Sequence, residues 1–149
     1  MSAATRLLER PTALRYVETS ALLAALMEGD VGAAASINAD GLCVASSLTF
    51  AEGHRAIIRA RAMGRFHADH ERHLLAALGK VEARCDVIRM SDAILAAVRS
   101  PLPIEPVRTL DAIHLRSLET LDEDPKHIVV VTRDKRIEAN ARAMGYGIE

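Results

Sequence analysis

Four carboxylates sit where ordinary packing does not call for them: Glu18, Glu52, Asp111 and Asp134. Glu18 closes the apolar run LRYV, and Asp134 follows just after the run HIVVVT. Projected as a helix at about 100° per residue, residues 109 to 121 put Asp111 on one stripe with His114, Leu115 and Leu118. The same projection of residues 134 to 144 puts Asp134 with Ile137, Ala141 and Met144. A carboxylate on an apolar stripe has to be offset by a bound cation, an arginine or the free amides of a helix start; without a partner it is costly to bury or shifts its pKa. Between Ser47 and Met63, Glu52 shares a narrow stripe with Arg55 and Arg59, opposite Phe50, Gly53, Ile57 and Ala60. An acid beside two arginines suits chemistry on a phosphate, the acid holding a metal ion and the guanidinium forks gripping phosphate oxygens. Mg²⁺ and Mn²⁺ are hard ions that take oxygen ligands, so a set of three or four acids matches one or two of them. Such an ion acidifies a bound water into a nucleophile and steadies charge on the phosphoryl oxygens, so no side-chain nucleophile is required.

Each acid also has a plainer account. Asp111 and Asp134 lie near helix starts, where Thr109 and Thr132 are candidate N-caps and acids favour the helix dipole. Glu52 with Arg55 makes an ordinary ion pair on a solvated helix face. Glu18 ends a strand and has only the following turn to explain it. Ser91 with Asp92 reads as a cap. HADHERH (67 to 73) spreads its three histidines around a helix instead of along one face, and neither HExxH, a Gly-x-Ser-x-Gly elbow nor a phosphate loop is present.

These residues need a frame to bring them together. Strand-like runs LRYVE (14 to 18), GLCVA (41 to 45), CDVIRM (85 to 90), HIVVVT (127 to 132) and the final YGI alternate with segments of helical period, which indicates a parallel α/β sheet covered by helices. In such sheets ligands gather beyond the carboxyl ends of the strands, where Glu18 and Asp134 fall. Pro101, Pro103 and Pro106 break the stretch before Thr109 into a loop. With 149 residues, half of them hydrophobic, the chain makes one domain, residues 14 to 149, after a loose leader at 1 to 13. A net charge of −1 supplies no general attraction for nucleic acid, so any such contact is local. Two Tyr, two Phe and no Trp leave no platform for stacking bases. Cys43 and Cys85, distant and in no Cys-x-x-Cys pair, are expected to be unpaired thiols in a reducing cytoplasm, and no stretch reads as a membrane span.

In this order, the blocks resemble the PIN-domain ribonucleases. YVETSALLAALMEGD (16 to 30) is similar to the family's opening, where an acid ending a strand precedes Thr-Ser; SLTFAEGHRAI (47 to 57) resembles its second block; RTLDAIHLRSLE (108 to 119) carries the specific Asp-Ala-x-His-Leu core; and VVVTRDKRIEANARAMGYGI (129 to 148) resembles the closing block. The resemblance implies a three-layer α/β/α fold, a Mg²⁺ or Mn²⁺ site of Glu18, Glu52, Asp111 and Asp134, and substrate contacts from Arg55, Arg59 and Ser20. It implies an endoribonuclease, in small single-domain form similar to VapC-type toxins, which are neutralised by a cognate antitoxin protein and usually form homodimers. A catalytically weak PIN module that binds RNA or a partner is the alternative. The family more commonly has Asp where this chain has Glu18, whose extra methylene moves the carboxylate by about 1 to 1.5 Å. Asn140 is expected to brace the closing block.

Overall fold

A computed structural model describes residues 13 to 149, so all of the expected leader except Ala13 lies outside the described residues. Five short strands run through the fold: β1 (Leu14–Val17), β2 (Leu42–Ser46), β3 (Asp86–Ile88), β4 (Ile128–Val131) and β5 (Gly147–Ile148). All neighbouring strands are parallel, in the order β3-β2-β1-β4-β5. The connections carry α1 (Thr19–Met27), α2 (Val31–Asn38), α3 (Ser47–Ala62), α4 (Ala68–Arg84), α5 (Asp92–Ala97), α6 (Thr109–Leu118) and α7 (Lys135–Ala143). The expected strands and the helices around the four acids therefore form, with ends shifted by at most three residues and a 3-10 turn at Glu119–Leu121 finishing α6.

The strand residues alternate between two cores, as a pleated strand covered on both faces requires. Tyr16, Val44, Ile128 and Val130 pack with Leu115 and Leu118 of α6 and Ile137 and Ala141 of α7. Val17, Ala45 and Val131 point the other way, against Leu22 of α1, Phe50 and Ile57 of α3, and Leu78 of α4. This is the three-layer α/β/α arrangement. Each fully buried aliphatic side chain contributes about 1.5–3 kcal/mol, so the two cores hold the sheet edge rigid on both sides.

The chain winds outward from β1 to β3, then returns across the sheet to place β4 on the other side of β1. That reversal makes the crevice between the carboxyl ends of β1 and β4 a topological switch point, where open parallel sheets bind ligands. The backbone amide of Glu18 donates to the Val131 carbonyl at 3.0 Å, so the ladder continues to the residue that carries the first acid.

One expectation is corrected. Cys43 and Cys85 are joined by a disulfide, with Cα atoms 4.6 Å apart. Val44 pairs with Asp86 across β2 and β3, so the cysteines one residue earlier lie side by side despite a sequence separation of 42. The argument for a reducing compartment from two free thiols therefore lapses. Among the described residues, no single helix is long and apolar enough to cross a membrane, and the apolar pair α1 and α2 bends by 119° at its junction.

The proline-rich loop before α6 is tied to α7 by Asn140, a residue only 1% exposed. Its Oδ1 accepts from the Ile104 amide at 2.9 Å, while its Nδ2 donates to the Ile104 carbonyl at 2.9 Å. Glu105 closes the same loop by accepting from the amides of Leu102 and Val107 at 2.9 and 2.7 Å. Asn140 thus braces the closing block against the loop that delivers α6. Truncating it leaves two peptide groups of Ile104 without partners; Asn140→Ala is expected to lower unfolding stability by about 1–3 kcal/mol, measured by urea denaturation, and an unchanged midpoint would show that the loop is held by other contacts.

Candidate functional site

Glu18 leaves β1 and acts as N-cap of α1. Its Oε1 accepts from the Ser20 amide at 3.0 Å; its Oε2 accepts from the Thr132 hydroxyl at 2.8 Å and from the Ser20 hydroxyl. The longer side chain, compared with Asp, folds back onto its own helix start. Its carboxylate is 5% exposed and satisfied by three protein donors. Ser20 is equally committed, since its Oγ also accepts from the Arg133 amide at 2.8 Å and lies 3.2 Å from the Thr132 hydroxyl. Ser20 therefore braces the ends of β1 and β4.

Glu52 does not lie on a solvated face paired with Arg55. Its Oε1 accepts from the Thr19 hydroxyl at 2.7 Å and from His114 Nε2 at 2.7 Å. Burial pushes its carboxyl pKa up, but the bonds from His114 and Thr19 outweigh this and hold it below the ordinary glutamate value. Beyond His114, the other ring nitrogen, Nδ1, meets the Tyr16 hydroxyl at 2.9 Å. Tyr16 is fully buried, and burial together with the nearby charges of Glu18 and Glu52 pushes its pKa far above the usual phenol range. The Glu52 carboxylate can only accept, so the ring hydrogen that faces it is on Nε2, and in that tautomer Nδ1 accepts from the Tyr16 hydroxyl. His114 Nε2 also lies 3.9 Å from Glu18 Oε1, so the first and second acids approach the same nitrogen.

Asp111 occupies the third position of α6, which begins after Arg108 without a side-chain cap; Thr109 is not the cap. Its carboxylate is 14% exposed, and its Oδ2 takes a single long contact at 3.4 Å from Arg108 Nε. Helix capping thus does not explain Asp111. It does explain part of Asp134, which is itself the N-cap of α7: its Oδ1 accepts from the amides of Arg136 and Ile137 at 2.8 and 3.1 Å. Thr132 is not that cap but links Asp134 to Glu18, accepting from the Asp134 amide at 3.0 Å while donating to the glutamate. Among the described residues, Glu52 Oε2, Asp111 Oδ1 and Asp134 Oδ2 make no hydrogen bond.

Two adjoining cavities meet at Glu52. One, of about 290 Å³, is lined by Glu52, Arg108, Thr109, Leu110 and Asp111. The other, of about 390 Å³, runs along α3 between Leu23, Leu48 and Leu110, with Arg55 and Arg59 on its rim. The two cavities share Glu52 and Leu110, so Asp111 borders one and both arginines border the other, with Glu52 between them. The acids are not gathered further: among the described residues, no three His, Cys, Asp or Glu side chains stand close enough to hold one ion in these rotamers. The donors themselves, carboxylate oxygens with unused lone pairs, are of the kind a hard divalent cation takes.

The switch-point crevice is also braced at its outer edge. Arg133 Nε donates to Asp30 Oδ2 at 2.8 Å, and this bond, with the Ala33 amide, brings the Asp30 carboxyl down to about 2. HADHERH is an exposed stretch entering α4, where His70 packs against Phe66 with ring centres 5.1 Å apart.

Reading the sequence alone missed His114, Thr19 and Thr132 as functional candidates. His114 carried a signal, since it shares the Asp111 stripe; the two threonines adjoin the strand ends, where hydroxyls commonly serve as caps.

The bonds to Glu52 have a measurable consequence. Because its pKa is lowered in the folded state, its ionised form adds stability above the unfolded value, ordinarily 4.5, which is lost as pH falls through the lower folded value. A carboxyl ¹³C titration is expected to give Glu52 a midpoint below 4.5; a higher midpoint would mean that burial outweighs His114 and Thr19.

Neither a scan against protein-family models nor a search of characterised proteins found a match to this chain.

Proposed function

We propose that this chain is a Mg²⁺- or Mn²⁺-dependent endoribonuclease that hydrolyses phosphodiester bonds, with the carboxyl edge of the sheet as its active site. One observation carries the reading: Glu52, Asp111 and Asp134 stand at or beside the switch-point edge, each with an oxygen unbonded among the described residues, and Glu52 lies between a cavity bordered by Asp111 and one bordered by Arg55 and Arg59. The order of the four sequence blocks and their resemblance to PIN-domain ribonucleases support the same conclusion.

In this reading Glu52, Asp111 and Asp134 would hold the ion, with Glu18 as the fourth acid of the set. When bound, the ion supplies an activated water and a charge to steady the phosphate. Arg55 and Arg59, one helical turn apart on α3, grip phosphates along their cavity and orient the strand. Few aromatic side chains and no general positive field mean that phosphate, not base identity, dominates binding. The resemblance to VapC-type toxins further supports a homodimer and a cognate antitoxin, whose arginine would occupy the acidic crevice where a cation otherwise sits.

A second reading is favoured by Glu18 alone. Its carboxylate is already satisfied by Ser20 and Thr132, which fits a PIN module of weak activity that works by binding RNA or a regulatory partner.

The two classes of residue are expected to fail differently. Asp111→Asn keeps the side-chain shape but removes a ligand charge, so turnover should fall by at least about 10²-fold, roughly 2.7 kcal/mol of barrier, while RNA affinity is retained or rises. Arg55→Ala and Arg59→Ala should instead weaken binding across many sequences and each reduce the salt-dependence slope by about 1. Single-turnover cleavage and filter binding over a salt series check both. Metal-independent cleavage would overturn the metal site, and wild-type protein that binds RNA and never cuts it would turn the conclusion to the second reading.

A further inference from the structure

We propose that His114 is the positioning residue of this site: seated against Tyr16 in one tautomer, it holds one oxygen of Glu52 and so presents the other to the bound ion. The inference rests on the metal-dependent reading above and adds to it a residue that touches neither metal nor RNA.

The geometry carries it. A histidine 1% exposed and in hydrogen-bond contact at both nitrogens is costly to build into a core, and the carboxylate on one side sets the direction: it can only accept, so Nε2 is the donor toward Glu52. With Nε2 donating to Glu52, Nδ1 is the acceptor for the Tyr16 hydroxyl, buried at the end of β1 and 2.9 Å away. The Nε2 hydrogen points at Glu52 Oε1, 2.7 Å away, which also receives the Thr19 hydroxyl at 2.7 Å. Two donors on one oxygen restrict the carboxylate's rotation, and Oε2 is left without a partner among the described residues. The chain Tyr16–His114–Glu52 thereby links β1, α6 and α3, three of the elements that carry the acids. Groups beyond the ligands that orient them are commonly worth 10–100-fold in metal affinity.

A histidine that merely fills the core would be needed for folding and for nothing else, so metal binding measured without RNA distinguishes the roles. Mn²⁺ is titrated into wild-type protein and into the folded variants His114→Gln, Thr19→Val and Tyr16→Phe, with affinity read by calorimetry and the spin signal of free Mn²⁺. His114→Gln is expected to weaken Mn²⁺ binding about 10–100-fold, and the two hydroxyl deletions several-fold. Because His114 does not touch RNA, saturating Mn²⁺ should restore most of the turnover of His114→Gln with KM for RNA unchanged. If His114→Gln does not fold, the two hydroxyl deletions decide. Folded variants that bind Mn²⁺ as tightly as wild type would overturn the positioning role while leaving the nuclease intact. Wild-type protein that neither binds Mn²⁺ nor cuts RNA would overturn both.

Discussion

The interaction on which the rest of the site depends is the seat of His114 between Tyr16 and Glu52. Two neighbouring elements each contribute a polar atom to the edge of the core, where burial of a polar group is costly unless it is hydrogen-bonded. With the imidazole between them, both are satisfied at hydrogen-bonding distance. The same contact fixes how far α3 stands from the end of β1, so the separation of the first two acids follows from the size of one ring. Thr49 on α3 reinforces this spacing by donating to the Val17 carbonyl at 3.2 Å.

On the other side of β1 a second network performs the corresponding task with hydroxyls. Ser20 and Thr132 cross-link the ends of β1 and β4 through Glu18, and the Asp134 amide joins by way of Thr132. The switch-point crevice is therefore not an open gap between strands. Its walls are set by short, directional bonds, and the acids at its mouth are anchored through one oxygen or, for Glu18, through both. That difference is chemical: Asp134 uses a single oxygen to cap its helix, whereas Glu18 spends two on donors from its own helix start and from β4.

Much of the frame was legible in the sequence. The apolar runs gave strands within a residue or two, because strands buried on both faces read as continuous hydrophobic stretches. Asp111 and Asp134 stood out by sharing stripes with core residues. What was not legible was lateral. The Cys43–Cys85 disulfide depends on the register of β2 against β3, which no local pattern encodes. Glu52 read as a surface acid because its helix face is charged, yet Thr19 and His114 draw it inward from other segments. The helix starts were misassigned by one or two residues, with Asp134 itself in the cap position expected of Thr132, because an acid and a threonine offer the same lone pair to the same amides.

The reversal of strand order at β1 has a consequence in time as well as in space. Glu18 meets its partner Thr132 across 114 positions of chain, and the two strands that carry them are neighbours in the sheet. Long-range parallel pairing of this kind forms late, after nearer segments have closed their own contacts. A chain under synthesis therefore exposes its first acids long before the strand that walls them in has been made. The carboxyl edge of the sheet is therefore complete only once β4 has docked beside β1, when Thr132 reaches Glu18.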